Sequence, residues 1–373
     1  MNVLKVPSFY ASLGNFINQC PPAWDSETAL ARHIAEGVET VTAKLGLSDA
    51  PLLCSDGAVF VYSKTQGIWE PVALDTLISI SQMYDGVCTP QQDDAKAKRI
   101  RIGYQRAGNI SKSIYHLHDL QADKFFAAPT PGIAFTNGFC EVTDYGPELS
   151  EHDSDHRATV AYDFDLDEEI EPPQKWLEFL NSLWEGDKDR HNKIAVLQEF
   201  LGASIANIAT TYQKCLLFIG TGSNGKSALM DLCGELLFPE GTVAYISPRK
   251  WDREYSLAGL RNARINLVSE LPETNVLEQT DVFKQVVTGE AVEARLPYQP
   301  PFAVRAKCGQ VFSANELPRT RDSSRGFFRR FIIFEFKKNF EKSMFRKQRK
   351  KLRPTSCRSV LQLSCGRCMG PPG

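Results

Sequence analysis

The stretch KCLLFIGTGSNGKSALMDLCGELL, residues 214–237, decides what kind of fold this chain adopts. Its first part, Cys215 to Gly220, is an apolar run of the length of one buried strand, and ALMDLCGELL carries a helical pattern. Between them, Gly220-Thr221-Gly222-Ser223-Asn224-Gly225-Lys226-Ser227 fits GxxxxGK[ST] in the strand–loop–helix context that this pattern requires. Glycines let such a loop curl so that backbone N–H groups face phosphates, and the following helix N-terminus adds partial positive charge. Lys226 is placed to reach the β- and γ-phosphates of a nucleotide, and the Ser227 hydroxyl to bind Mg²⁺. A purely structural glycine turn would not need the Lys-Ser pair.

Working outward, a nucleotide-hydrolysing loop of this kind needs an acid at the end of a neighbouring apolar strand. RINLVSE, residues 264–270, supplies Glu270, 44 residues after Lys226. Its carboxylate would hold the Mg²⁺-bound water network or polarise the attacking water, and Glu273 is a second candidate. A third strand in GQVFSANELP, residues 309–318, ends at Asn315, placed to hydrogen-bond the γ-phosphate or the attacking water. Arg325, Arg329 and Arg330 then precede the strand FIIFEF, residues 331–336. An arginine there would stabilise transition-state charge at a neighbouring subunit's ATP, an effect of roughly 10³–10⁵ in rate where such fingers act. The order and spacing of these residues behind the loop make them a set.

The rest of the chain reads as follows. LARHIAEGVETVTAKL, residues 30–45, has helical periodicity, and AVFVYSKTQGIWEPV, residues 58–72, reads as a hairpin around Lys-Thr-Gln-Gly. KAKRIRIGYQR, residues 96–106, is locally basic and fits either a solvated helix face or a nucleic-acid contact. AAPTPG, residues 127–132, marks a boundary, and GIAFTNGFCEVTDYG after it predicts a second hairpin turning at Asn137-Gly138. Asp163, Asp165 and Asp167 in DFDLD have spacing that can hold metals, but no second acidic cluster accompanies them, and an acidic linker is the simpler reading. Helical patterns run from Gln174 to Trp184 and from Lys193 to Ile208.

Composition narrows the class. With 373 residues, 42% hydrophobic and 24% charged, the chain has material for two or three ordinary globular domains. No apolar run approaches the roughly 18 residues of a membrane helix, and MNVLKVPSFYASLG lacks the apolar segment of a signal peptide. Of the ten cysteines, the seven up to Cys308 are widely scattered and mostly beside apolar residues, as reduced core cysteines are, so a cytoplasmic location is expected. Cys357, Cys365 and Cys368 are too few for a zinc site, which usually takes four ligands. The net charge of −2 conceals eleven Lys/Arg against one acid, Glu341, from Lys337 onward.

GTGSNGKS, ARINLVSELPE, FKQVVTGEAVEARLPYQPPFAV and FSANELPRTRDSSRGFFRRFIIFEF resemble, in this order, motifs A, B, B′ and C of superfamily 3 helicases. More narrowly they are similar to the phage and plasmid primase–helicases related to the poxvirus primase–helicase. The resemblance is specific over residues 206–336. It extends more loosely through TNGFCEV, HRATVAYDFD, WLEFLNSLW and LQEFLGASI, and through the hairpin at Gly67-Ile68-Trp69. It implies an α/β fold in four parts. A P-loop AAA+-like ATPase core of superfamily 3 helicase type spans 206–336, preceded by a helical domain at 126–205 and a mixed α/β N-terminal region at 1–125. A basic irregular tail at 337–373 follows.

By the same resemblance, Lys226 and Ser227 are the Walker A pair, Glu270 the Walker B acid and Asn315 the motif C sensor. Either Arg329 or Arg330 is the arginine finger, and Lys284, Thr288, Gly289 and Arg295 match B′. The implied cofactors are ATP and Mg²⁺, the latter held through Ser227 and Glu270. The implied partners are single-stranded DNA, further copies of the chain in a hexamer, and replication-initiation proteins, in a bacterial host or at a viral replication site. Arg295 and Tyr298, with Arg305 and Lys307, combine positive charge with an aromatic ring, which suits phosphate neutralisation and base stacking.

Two departures from the family pattern stand out. Residues 1–125 lack the paired acids and zinc cysteines of a primase domain, so primer synthesis is not expected. From Lys342 onward, Cys, Arg, Ser, Gly and Pro dominate without helical or strand period. Another reading frame back-translated from Lys347 permits an acidic, apolar, periodic ending like the family's, which points to a frameshift near residues 340–347. A genuine basic DNA-binding tail is the alternative. The expected function is ATP-driven unwinding of or translocation on DNA in phage, prophage or plasmid replication. A nucleotide- and DNA-binding initiator, or a remnant without unwinding activity, is the second reading. The B′ stretch and the Asn315 motif speak against a packaging motor or kinase.

Overall fold

The computed structural model describes residues 3–55, 57–90, 99–122, 124–143, 145–166, 173–271, 280–295, 301–317, 320, 322 and 324–340. The chain divides into two compact units, residues 1–130, 134–139 and 151–163 in the first and residues 131–133, 140–150 and 164–373 in the second.

The first unit contains α1 (Pro7–Gln19), α2 (Glu27–Lys44), β1 (Leu53–Ser55), β2 (Ala58–Ser63), β3 (Ile68–Pro71), α3 (Leu74–Gln82) and α4 (Tyr104–Ile114). Helix α2 starts where Ser26 Oγ accepts the Ala29 N–H at 3.2 Å, the N-cap role for which serine is preferred. It buries Leu30, Ile34, Val38 and Val41 along one stripe. The strands form an antiparallel sheet in the order β1-β2-β3. The hairpin expected from the alternation at 58–72 is there, with Tyr62 opposite Trp69 and Ser63 opposite Ile68. Gly67 closes its turn at φ +66°, a conformation glycine adopts without the Cβ penalty.

Strands β4 (Gly132–Phe135), β5 (Gly138–Thr143) and β6 (Gly146–Ser150) follow, residues 134–139 being counted with the first unit and 131–133 and 140–150 with the second. The region 126–205 therefore does not open as a helical domain. Its first third alternates with period two around glycine turns, which favours strands. Of its α-helices, α5 (Gln174–Leu183) and α6 (Arg190–Ile205) lie in its second half, at the two periodic segments. Helix α6 ends before Ile208 because Asn207 takes the left-handed conformation at φ +64°. Asp163 and Asp165 sit in irregular backbone, and Asp167 lies outside the described residues.

Beyond α6 come β7 (Cys215–Ile219), α7 (Lys226–Leu236), β8 (Val243–Ala244), α8 (Glu254–Ala258), β9 (Ile265–Val268), α9 (Thr280–Thr288), β10 (Ala291–Ala294), β11 (Phe302–Arg305), β12 (Gly309–Ala314), α10 (Arg325–Phe328) and β13 (Phe331–Glu335). Five of these strands form one parallel sheet in the order β13-β7-β12-β9-β8. Strands β9 and β12 are buried throughout, as the interior of a parallel sheet covered on both faces must be. The polar side chains Asn266 and Gln310 on them are paired, Asn266 Nδ2 donating to Gln310 Oε1 at 2.8 Å. Trp251 and Phe283 stack at 5.9 Å, and Phe283 meets Phe327 at 5.4 Å and Phe331 at 5.3 Å. This aromatic block anchors α9 and α10 to the sheet. The second strand pair is an antiparallel hairpin of β10 and β11, Ala291 opposite Arg305 and Ala294 opposite Phe302.

Among the described residues no helix is long and apolar enough to cross a membrane. Cys54, Cys140, Cys215, Cys233 and Cys308 are buried free thiols, while Cys20 and Cys88 are exposed. Cys357, Cys365 and Cys368, together with the rest of the tail from residue 341, lie outside the described residues.

Candidate functional site

Sheet order brings the candidate residues together. Strand β12 lies between β7 and β9, with Ala314 opposite Ile219 and Phe312 opposite Val268. All three strands point the same way, so the glycine-rich loop, Asn315 and Glu270 leave the same edge of the sheet. Backbone bonds lock this edge, the Gly220 N–H reaching Ala314 O at 3.3 Å and the Leu271 N–H reaching Ser313 O at 2.7 Å. The carboxyl ends of parallel strands are where open α/β sheets hold their ligands. A cavity of about 440 Å³ opens there, lined by residues 222–228 together with Asp231, Ser269, Glu270, Ser313 and Asn315.

The loop is shaped by a few strict requirements. A Cβ on Gly220 would collide with Asn224 Nδ2 and the Phe336 carbonyl, so only glycine fits. Ser223 and Gly225 take positive φ, +59° and +92°, and turn the chain into α7. Asn224 is buried, and its Nδ2 donates to Thr221 O at 3.1 Å and Phe336 O at 3.3 Å. The Lys226 amine donates to the Gly220 carbonyl and to Asn224 Oδ1 at 3.0 Å. Lys226 is only 6% exposed, and burial pushes the pKa of its ammonium down. Ser227 is exposed on the first turn of α7, whose leading N–H groups have no partners within the helix. Gly220 and Thr221 are not among the residues that line the cavity; their carbonyls accept from Lys226 and Asn224.

Glu270 and Asn315 are exposed residues, each just past its strand end. Asp231, one turn and a residue along α7 from Lys226, puts a further carboxylate on the cavity wall. The sequence reading missed it because no local pattern marks it; the helical offset from Lys226 was the available signal. The hydroxyl of Ser227 and the carboxylates of Glu270 and Asp231 form a set of hard oxygen donors, the set that Mg²⁺ takes. Glu273 lies outside the described residues.

Arg329 and Arg330 lie elsewhere. They precede β13, and Lys214 Nζ donates to Arg329 O at 2.6 Å while the Cys215 N–H donates to Arg330 O at 2.7 Å. They therefore sit at the amino ends of β13 and β7, a strand length of about 16 Å from the loop edge. The two side chains differ. Arg329 is exposed and donates to Gln213 Oε1 at 2.9 Å. Arg330 is 8% exposed, its guanidinium turned onto the Gly326 carbonyl, and burial followed by the neighbouring Arg329 charge lowers its pKa.

The B′ residues are mostly structural. Lys284 pairs with Asp322 at 2.7 Å and with Asp281 at 3.5 Å, and these partners raise its pKa while Asp322 is held well below the usual carboxylate range. Thr288 Oγ1 donates to Lys284 O at 2.8 Å, and Gly289 has φ +70° with Thr210 pressed against the position of a Cβ. On the hairpin, Arg305 falls on the face that also carries Ala291, Glu293 and Ala303, while Val292, Ala294 and Val304 face the core; Arg295 follows directly after β10. Lys307 is half-buried, and burial, then Arg264 and Arg305, lower its pKa. Tyr298 lies outside the described residues.

Such a site on such a sheet defines a mixed α/β protein with a parallel-sheet core. A family described as "D5 N terminal like" matches residues 49–185, and a family of unknown function, DUF5906, matches residues 218–330. The second match spans Lys226, Glu270, Asn315 and both arginines. An apo structure of the NrS-1 C-terminal region is similar over 88% of this chain and 68% of its own length, at 14% identity and a TM-score of 0.50. Another apo structure of that region, residues 305–718, gives 90%, 70%, 14% and 0.49. No curated protein matches the chain. The two family models thus match separate stretches of the chain, and the likeness to the NrS-1 region is one of fold.

Proposed function

We propose that the chain is an ATP-dependent DNA helicase or translocase that acts on single-stranded DNA in phage, prophage or plasmid replication, built on a P-loop AAA+-like core. The observation that carries this reading is the single cavity shared by Lys226, Ser227, Glu270 and Asn315 at the ends of three adjacent parallel strands. In this reading the N–H groups of residues 222–227 and the α7 N-terminus bind the ATP phosphates. Lys226 leaves the Gly220 carbonyl for the β- and γ-phosphate oxygens, where it offsets charge that grows on the leaving phosphate. Ser227 and Glu270, with Asp231 behind them, would hold Mg²⁺, which supplies electrostatic neutralisation of the phosphates when bound. Glu270 also orients the attacking water, and Asn315, on the strand between, reports the γ-phosphate by hydrogen bonding.

Arg329 is exposed and a strand length from its own cavity, so it serves the cavity of an adjacent copy in a ring. Arg330, tied to Gly326, holds the turn that presents it. Arg305 on the hairpin and Arg295 directly after β10 contact DNA phosphates as hydrolysis moves the hairpin. ATP hydrolysis with and without single-stranded DNA, beside Lys226→Ala, tests this. DNA-stimulated turnover abolished in the variant is the expected result. Nucleotide binding without turnover would replace it with the nucleotide- and DNA-binding initiator or remnant.

A further inference from the structure

We propose that the first unit carries a stacking platform for single-stranded DNA, built on Trp24 and Tyr104 with Arg101 and Lys112 beside them. The choice of DNA rests on the reading above; the platform itself rests on the first unit alone. Trp24 is 75% exposed and Tyr104 71% exposed, whereas the other four tryptophans, Trp69, Trp176, Trp184 and Trp251, are each at most 2% exposed. Leaving a large ring in water forgoes the burial that tryptophan usually obtains, and such rings concentrate at binding surfaces.

Trp24 is held rather than loose. Pro21 and Pro22 restrict the chain ahead of it, and His33 Nε2 lies 2.8 Å from Cys20 O. Asp25, immediately after it, takes the Arg106 guanidinium on its carboxylate at 2.6 Å and on its carbonyl at 3.0 Å. Ser26 then caps α2. The same guanidinium donates to Arg101 O at 2.7 Å, so the Asp25 and Arg101 carbonyls lie within about 8 Å of each other. One arginine thus ties the Trp24 turn to the start of α4, where Tyr104 stands. A ring fixed before binding loses little freedom on binding.

The surroundings fit an anionic strand of bases. Exposed Arg99 and Arg101 precede Tyr104, and Lys112 lies two turns along the same face of α4. Gly108, between Tyr104 and Lys112, has open space where a Cβ would be, and so does Gly103. A base lying against Tyr104 therefore meets bare backbone, with Lys112 beyond it for a phosphate. Acidic neighbours are already engaged: Asp25 with Arg106, Glu27 with Asn109 Nδ2 at 3.4 Å, and Asp85 with the Ile102 N–H at 2.8 Å. Base stacking on aromatic rings with flanking cations is how single strands are bound without sequence preference. The basic run at 96–106 thereby gains a role, although Lys96 and Lys98 themselves lie outside the described residues.

Intrinsic fluorescence of the full chain tests this directly, because Trp24 alone emits from water. Titration with oligo(dT) should quench the red edge of the emission, in the unmodified chain and in Lys226→Ala alike, and Trp24→Phe should remove that red-edge component. Trp24→Ala and Tyr104→Ala, checked for native circular dichroism, should each weaken oligo(dT) binding by at least about fivefold. Arg101→Ala should lower the slope of log K against log salt by about 0.7. Unchanged emission with undiminished affinity in both ring variants overturns the platform and leaves the hairpin reading intact. Quenching without ATP turnover overturns the motor and keeps the platform. Stronger quenching by oligo(rU) overturns the choice of DNA. An emission maximum that moves to the blue with protein concentration alone overturns the platform in favour of a contact between copies.

Discussion

Lys226 and Asn224 show how a single side chain sets the state of the loop. The Lys226 amine is bound by the loop's own oxygens, Gly220 O and Asn224 Oδ1, while Asn224 spans from Thr221 to the chain beyond β13 at Phe336. Lys226→Ala removes the cation without disturbing the strand, and ATP turnover should fall at least about a hundredfold. Asn224→Ala strands buried carbonyls and should cost about 1–3 kcal/mol in thermal or urea unfolding of the second unit. In the first unit, His33 carries a pH signature. Burial lowers its pKa and outweighs the Cys20 carbonyl and Glu36, which both raise it, and its ring lies 3.1 Å from Tyr84 Oη. The unfolded chain then binds a proton that the folded one refuses, in the window from the ordinary value near 6.5 down to the depressed one. Stability is therefore full above that window and falls as pH drops through it. Glu39 and Glu70 act with the opposite sign, because burial raises their pKa and their contribution is lost as pH rises. The melting temperature of the first unit should decline between pH 7 and 5, and His33→Gln should flatten the decline; an identical profile in the variant would show that His33 is not its source.

At the scale of elements, the hairpin of β10 and β11 separates packing from contact by parity. Val292, Ala294 and Val304 hold it to the core, so the opposite face is open to substitution without loss of fold. Replacing Arg295 and Arg305 together with alanine should weaken single-stranded DNA binding and reduce the salt slope by about 0.7 for each phosphate no longer neutralised, measured by titration at several salt concentrations. An unchanged slope would move the DNA interface elsewhere. Elements such as this one were visible in the sequence to different degrees. The strands β7, β9 and β12 were legible because buried parallel strands read as unbroken apolar runs, and both hairpins of the N-terminal half because alternation and a Gly turn are local signals. Lys226, Glu270 and Asn315 were legible as a set for the same reason, each marking the end of a readable strand. The pairing order that puts β12 between β7 and β9 was not, since it depends on pairing between residues far apart in sequence, such as Val311 with Leu216 and Gly309 with Ile265. Nor was the Lys284–Asp322 pair, nor the place of Asp231 on the cavity wall. The helical label for 126–205 came from the family resemblance, whereas the alternation after Gly132 marks the strands β4 and β5 that open this region.

At the scale of the molecule, the proposed ring makes the place of the arginines testable. Arg329 and Arg330 are identical to a sequence reader, but burial separates them: Arg330 is spent on the Gly326 carbonyl, and Arg329 faces water at the amino edge of a sheet whose cavity opens at the carboxyl edge. An arginine so placed cannot reach a phosphate in its own cavity, so in the proposed ring it must reach a neighbour's. Arg329→Ala should then lower ATP turnover by about 10³-fold or more while leaving nucleotide binding nearly unchanged. The discriminating measurement mixes two inactive chains. In an assembly of Lys226→Ala and Arg329→Ala copies, some interfaces pair the intact Lys226 of one variant with the intact Arg329 of the other. Those interfaces are complete, and turnover should reappear on mixing, rising to a maximum near equal amounts. If Arg329 acted within its own chain, or only held the fold, every interface in the mixture would carry a defect and mixing would restore nothing. Restored turnover that scales with protein concentration would also show that the working unit is an assembly, because a composite site exists only where two copies meet.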